Sequence, residues 1–184
     1  MPFAYYKRLS VGQQRVYRRS ARIGKIELPE TGFNSLLDVL RCGLRSERTK
    51  AVESICQQLL DRMTTGLEIA AVQVKVYATR PHGRWGELHG LYTIAEGRNR
   101  AQIEVWMRTA RRRQVVAFRT FLRTLVHEFC HHLDYELLKL PESFHTEGFY
   151  QRESSLINQI APQNVSDKQD RLSRFSDLEG HRSD

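Results

Sequence analysis

From Phe118 to Leu133 apolar side chains recur at helical spacing: Phe118, Leu122, Leu125, Phe129 and Leu133. At about 100° per residue these positions share one side of an α-helix. The opposite side carries His127 and His131. Such a helix presses its apolar stripe into a core and turns both imidazoles toward an opening. The pattern predicts a long helix from about Gln114 to Lys139. Leu140-Pro141 stops it, because proline cannot donate the next helical hydrogen bond.

The two histidines belong to His127-Glu128-Phe129-Cys130-His131, an H-E-x-x-H pattern. Residues four apart lie about 40° apart around the helix and one turn along it, so both rings can meet one metal ion. Glu128 points about 100° away from His127. It is too far round to share the ion, yet it can reach a water beside it. A catalytic zinc takes three protein ligands and leaves a position open. The candidates for the third ligand are His145, Glu147, Asp134 and His132. His145 is preferred, because the loop from Leu140 to Phe144 can return the chain to the motif. Asp134 shares the histidine side and suits a partner for a ring N–H. His132 points away and reads as a surface or wall residue, and Cys130 as packing.

These residues suit zinc-dependent hydrolysis of a peptide bond in a protein or peptide. Glu128 would accept the proton of the attacking water and pass it to the leaving amine. A group that steadies the developing oxyanion is also needed; Tyr150, Arg152 and His89 are the candidates. His82 and His181 receive no role.

The rest of the chain predicts an α+β fold. Ser10 caps a short helix over Val11 to Ser20. Glu30-Thr31-Gly32 is a turn. Leu36, Leu37, Leu40 and Leu44 mark one helix; Val52, Ile55, Cys56, Leu59, Leu60 and Met63 mark another, ending near Gly66. Val72, Val74 and Val76 alternate with polar residues as in a half-buried strand. Glu87 to Ala95 and Gln102 to Met107 are two further strands around a turn at Glu96 to Asn99. The expected sheet is three-stranded and mainly antiparallel, and Gln102 to Met107 could pair with an extended substrate. A last helix opens at His145 and runs to about Ile160. Three regions result: a basic arm over 1–30, a domain over 31–162 and a polar, disordered tail over 163–184.

The formal net charge is +8. Seven basic residues and no acid lie between Met1 and Lys25, and eight arginines face one acid between Arg98 and Arg123. These stretches suit a nucleic acid or another polyanion, or else form a solvated basic face. A basic nucleic-acid-binding protein with a structural or vestigial zinc site is the rival reading; such a site has no need of Glu128. The three cysteines, Cys42, Cys56 and Cys130, form neither a disulfide framework nor a four-cysteine zinc site. Cys42 and Cys56 are expected as buried thiols. No stretch suggests a membrane span or a signal peptide, which points to the cytoplasm.

His127-Glu128-x-x-His131 followed after a turn by His145-x-x-x-Phe149 resembles the zinc-peptidase domain of the SprT-like and Spartan metalloproteases. The resemblance spans about Gln102 to Ile160. It implies a small zincin-like domain, with His127, His131 and His145 as zinc ligands and Glu128 as the catalytic acid and base. It also implies Phe149 as packing behind the third ligand and substrates associated with nucleic acid. The family usually places glycine directly after the third histidine; here Thr146 follows and the glycine is Gly148.

Overall fold

A computed structural model describes residues 3–162 apart from Glu30 and Trp85. The first residue of the expected Glu30 turn, His181 and the tail over 163–184 lie outside the described residues. A short 3₁₀ helix, Ala4–Arg8, precedes α1, Val11–Ala21. Ser10 caps α1 through a capping box with Gln13. Two amphipathic helices follow, α2, Asn34–Arg45, and α3, Thr49–Gly66. Gly66 is the last residue of α3, and the left-handed position just beyond it falls on Glu68, φ 53°.

The strands are β1, Gln73–Thr79; β2, His82–Gly83; β3, Gly86–Glu87; β4, Gly90–Thr93; and β5, Gln102–Arg108. β2 and β3 form a small hairpin of their own. The main sheet has the order β1-β5-β4, with β5 parallel to β1 and antiparallel to β4. It is therefore mixed rather than mainly antiparallel. Alternation along β1 decides which face is buried, but it carries no information about the direction of the neighbouring strand. Val74 and Val76 of β1 face the core beside Ile103, Val105 and Met107 of β5. The core is completed by α2, α3 and the buried faces of the last two helices. The chain is thus an α+β domain. Among the described residues no helix is long and apolar enough to cross a membrane.

The motif helix, α4, runs over Phe118–Glu136, shorter than its pattern suggests at both ends. At the start, Val116 donates to the Met107 carbonyl and Val115 bridges Arg108, so the backbone polar groups before Phe118 serve the sheet. At the end, Leu138 and Leu140 donate back to the carbonyls of Leu133 and Asp134, and Lys139 takes the left-handed turn at φ 50°. Pro141 follows a helix that has already closed. α5, Glu147–Ile160, begins two residues after His145, capped by Thr146, whose hydroxyl accepts from the Phe149 N–H at 3.0 Å.

Cys56 and Cys130 are buried, whereas Cys42 is exposed. Cys42 lies two residues from Leu40, which is about 200° round the helix and so opposite the buried stripe.

Candidate metal centre

α4 fixes the orientation of the site through its packing. Leu122, Leu125, Phe129 and Leu133 are buried in the core, and His127 and His131 emerge on the far side. His145 approaches them from the segment between α4 and α5. Its Nε2 lies 2.9 Å from Nε2 of His127 and 3.1 Å from Nε2 of His131. One nitrogen from each ring thus converges on a common point, all within 4.8 Å of one another. Tetrahedral zinc with bonds near 2.0–2.1 Å sets its nitrogen ligands about 3.3 Å apart. The three imidazoles suit such an ion in number and atom type, and the two spacings that involve His145, 2.9 and 3.1 Å, lie close to that value.

The outer nitrogens decide which tautomer each ring takes. Nδ1 of His127 lies 2.9 Å from Oε2 of Glu153, a carboxylate that only accepts, so Nδ1 carries the proton. Arg123 holds the other oxygen of Glu153 at 2.7 Å. Nδ1 of His131 lies 2.7 Å from the Ser143 hydroxyl, which donates its own proton to Asp134 at 2.6 Å. The hydroxyl must therefore accept from the ring. Both rings are left with a bare Nε2 lone pair, the form that binds a metal. Burial and the neighbouring imidazoles also push the pKa of His131 down to about 3, and burial lowers that of His145. Both stay neutral near pH 7.

Asp134 therefore meets His131 through Ser143 and does not touch the ring. Its second oxygen takes a 2.6 Å bond from Arg152, and both members of this ion pair are fully buried. Arg152 also donates to the Ser20 carbonyl at the end of α1. It belongs to the interior and cannot reach an oxyanion in the cleft. Tyr150 and His89 do line the cleft. Glu147 lines a separate groove with Phe3 and Lys25, with Tyr150 bordering both. His132 is fully buried, not a surface or wall residue. Its Nε2 donates to the Ala70 carbonyl at 2.8 Å, so Nδ1 accepts from Tyr92, 3.2 Å away. It ties α4 to the chain entering β1. Cys130 is buried, and burial raises its thiol pKa.

Glu128 stands beside the triad against the sheet. The Tyr92 N–H donates to its carboxylate, and burial still pushes its pKa up to about 7. Gly90 is what allows this approach. A Cβ at Gly90 would come within 2.4 Å of the Glu128 Oε1. Glu128 thus rests on the backbone of β4, one of the two edge strands of the sheet. β5, by contrast, is the central strand, paired on both sides, and cannot accept a substrate strand. A cleft of about 810 Å³ runs between β4 and the triad, bordered by Leu88, Leu91 and Tyr135.

Phe149 packs against all three rings, with centroids 4.8–5.0 Å away. Ser143, Glu153 and Gly90 were not singled out from the sequence. A signal existed for Glu153: it shares with Arg152 the buried face of α5 beside Phe149, Leu156 and Ile160, where charges are out of place. Nothing local marks Ser143 or Gly90. Comparison with family models, with curated proteins and with solved structures finds no match.

Proposed function

We propose that the chain is a zinc-dependent peptidase of the SprT-like kind, cleaving a protein or peptide laid along β4. One observation carries the reading: three imidazole nitrogens converge beside a buried glutamate, in a cleft that opens onto the outer side of β4, where no further strand pairs among the described residues. A purely structural zinc site is closed by four protein ligands and has no use for that glutamate or for the cleft.

His127, His131 and His145 would hold the ion. Bound zinc supplies a Lewis acid that acidifies water and polarises a carbonyl. Glu128 takes the proton from the attacking water and delivers it to the leaving amine. Its position is set by the Tyr92 N–H and by the space at Gly90. Glu153 and Ser143 keep the His127 and His131 rings turned toward the ion. The edge of β4 can hydrogen-bond an extended segment, and Leu88 and Leu91, both partly exposed, offer it apolar contact. The basic stretches suit substrates associated with nucleic acid. Free cysteines at Cys42, Cys56 and Cys130 suit the reducing cytoplasm.

The test is Glu128→Gln. The substitution keeps side-chain size and every proposed ligand but removes the proton acceptor. Zinc content should stay at one per chain, and hydrolysis should fall by about 10²–10⁴-fold. Undiminished hydrolysis, on a substrate that the zinc-free protein leaves intact, would reject the role of Glu128 and with it the peptidase reading.

A further inference from the structure

His127 and His131 stand on a helix of five turns, whereas His145 stands on irregular chain between α4 and α5. Ordering such chain costs backbone entropy that a helix offsets through its own hydrogen bonds. The contacts that offset this cost come largely from the N-terminus. The Tyr5 hydroxyl donates to the His145 carbonyl at 2.8 Å. Gln13 donates to the Glu142 carboxylate at 2.9 Å, and Arg19 to the Leu138 carbonyl at 2.7 Å. Ser20 and Thr146 share a buried hydroxyl contact of 3.1 Å, and the Tyr17 ring lies 6.3 Å from that of Phe144. Gly148 presses α5 onto the end of α1, where an added Cβ would sit 2.4 Å from the Ser20 carbonyl oxygen.

These contacts act on the backbone that carries the third imidazole. A hydrogen bond at the His145 carbonyl fixes the peptide plane next to its Cα, and with it the direction from which the ring enters the cleft. We propose that the N-terminal segment is a clasp for the third metal ligand, with Tyr5 as a positioning residue that couples docking of the segment to metal affinity. The segment also shapes the entrance. Phe3 meets Tyr150 edge to face at 6.0 Å, and Tyr150 stacks 5.9 Å from His145. The inference rests on the metal site of the proposed function and is independent of the hydrolysis assigned to it.

The experiment is zinc titration against a competing chromogenic chelator, with the full chain as wild type, Tyr5→Phe and Tyr6→Phe. Tyr5→Phe keeps the ring that packs on Phe3 and Tyr17 and removes only the hydroxyl. Tyr6 is the control: it lies in the same 3₁₀ helix, but its hydroxyl meets Arg18 and not the loop. Tyr5→Phe should bind zinc about 10-fold more weakly, the lower end of what orienting partners of metal ligands contribute. The cobalt-loaded variant should lose visible absorption as the third imidazole drifts from the ion. Tyr6→Phe should match wild type in both measurements. Wild-type affinity and spectrum in Tyr5→Phe, or equal losses in the two variants, would overturn the clasp while leaving the metal site in place. A wild-type chain that takes up neither metal would instead overturn the proposed site itself.

Discussion

The two halves of the candidate metal centre are built by different means. His127 and His131 are neighbours because an α-helix repeats every 3.6 residues, and one apolar stripe is enough to aim them. His145 and Ser143 reach the same point by contacts from outside their own segment: His145 is held by Tyr5, 140 residues away in sequence, and Ser143 by Asp134 of α4, nine residues away. The helical half is encoded by spacing and the loop half by tertiary contacts. The first should survive any disturbance that leaves α4 packed. The second should respond to changes far away in sequence.

Removing a ligand tests whether both halves are needed. His131→Ala and His145→Ala should each cost more than the about 100-fold in metal affinity that bounds the loss of an orienting partner. Glu147→Ala should leave metal content unchanged, because Glu147 lines the neighbouring groove and stands outside the triad. Metal analysis of the three purified variants decides the point. If His145→Ala keeps its metal while His131→Ala loses it, the loop half is not a ligand and the comparison collapses.

Legibility from the sequence follows the same division. The α4 stripe, the Ser10 cap, the alternation of β1 and the turn at Glu96 to Asn99 are local patterns, and each is present as read. The parallel pairing of β1 with β5 is not local, since a period of two looks the same in either direction. The ends of α4 were misjudged because helical periodicity continues through residues whose backbone bonds go to the sheet or close the helix. In the site, His127, Glu128 and His131 follow from spacing, and His145 was the favoured choice among four. The proton partners did not follow, because Ser143 carries no pattern and the charges of Arg152 and Glu153 disappear into an otherwise amphipathic helix.

An effect on folding stability, spread over both halves, is expected at the buried pair of Asp134 and Arg152. Arg152 binds Asp134 of α4 and the Ser20 carbonyl of α1 from its place on α5, so one side chain joins three helices. Arg152→Met would leave the Asp134 carboxyl buried and without its cation, with burial already raising its pKa. Loss of one partner from such a pair costs about 3–5 kcal/mol. Urea unfolding of the metal-free proteins should show that loss. The double variant Asp134→Leu with Arg152→Met should be less destabilised than the single one, because no uncompensated charge remains. A single variant within about 1 kcal/mol of wild type, well below the cost expected of a broken buried pair, would mean that the three helices hold together without Arg152.

Ser143→Ala should cost less metal affinity than the loss of a ligand and draws the boundary between the halves most finely. Ser143 belongs to the loop, yet the ring it orients, His131, belongs to the helix. Its hydroxyl accepts from Nδ1 of His131 and donates to Asp134, so it fixes which His131 nitrogen carries the proton. Without it, the ring can place its proton on Nε2, the atom that should face the ion. The carboxylate of Asp134 would remain paired with Arg152, so folding stability should change by no more than the about 0.5–1.5 kcal/mol of an ordinary hydrogen bond. Metal affinity should fall by about 10–100-fold. Ser143→Thr, which keeps a hydroxyl, should recover most of that loss. Titration of both variants beside His145→Ala separates the two contributions of the loop. If Ser143→Ala binds metal as wild type does, the helix orients His131 unaided and only His145 depends on the loop. If it binds more weakly with unchanged stability, spacing places the first two imidazoles and tertiary contacts set the proton that lets one of them bind.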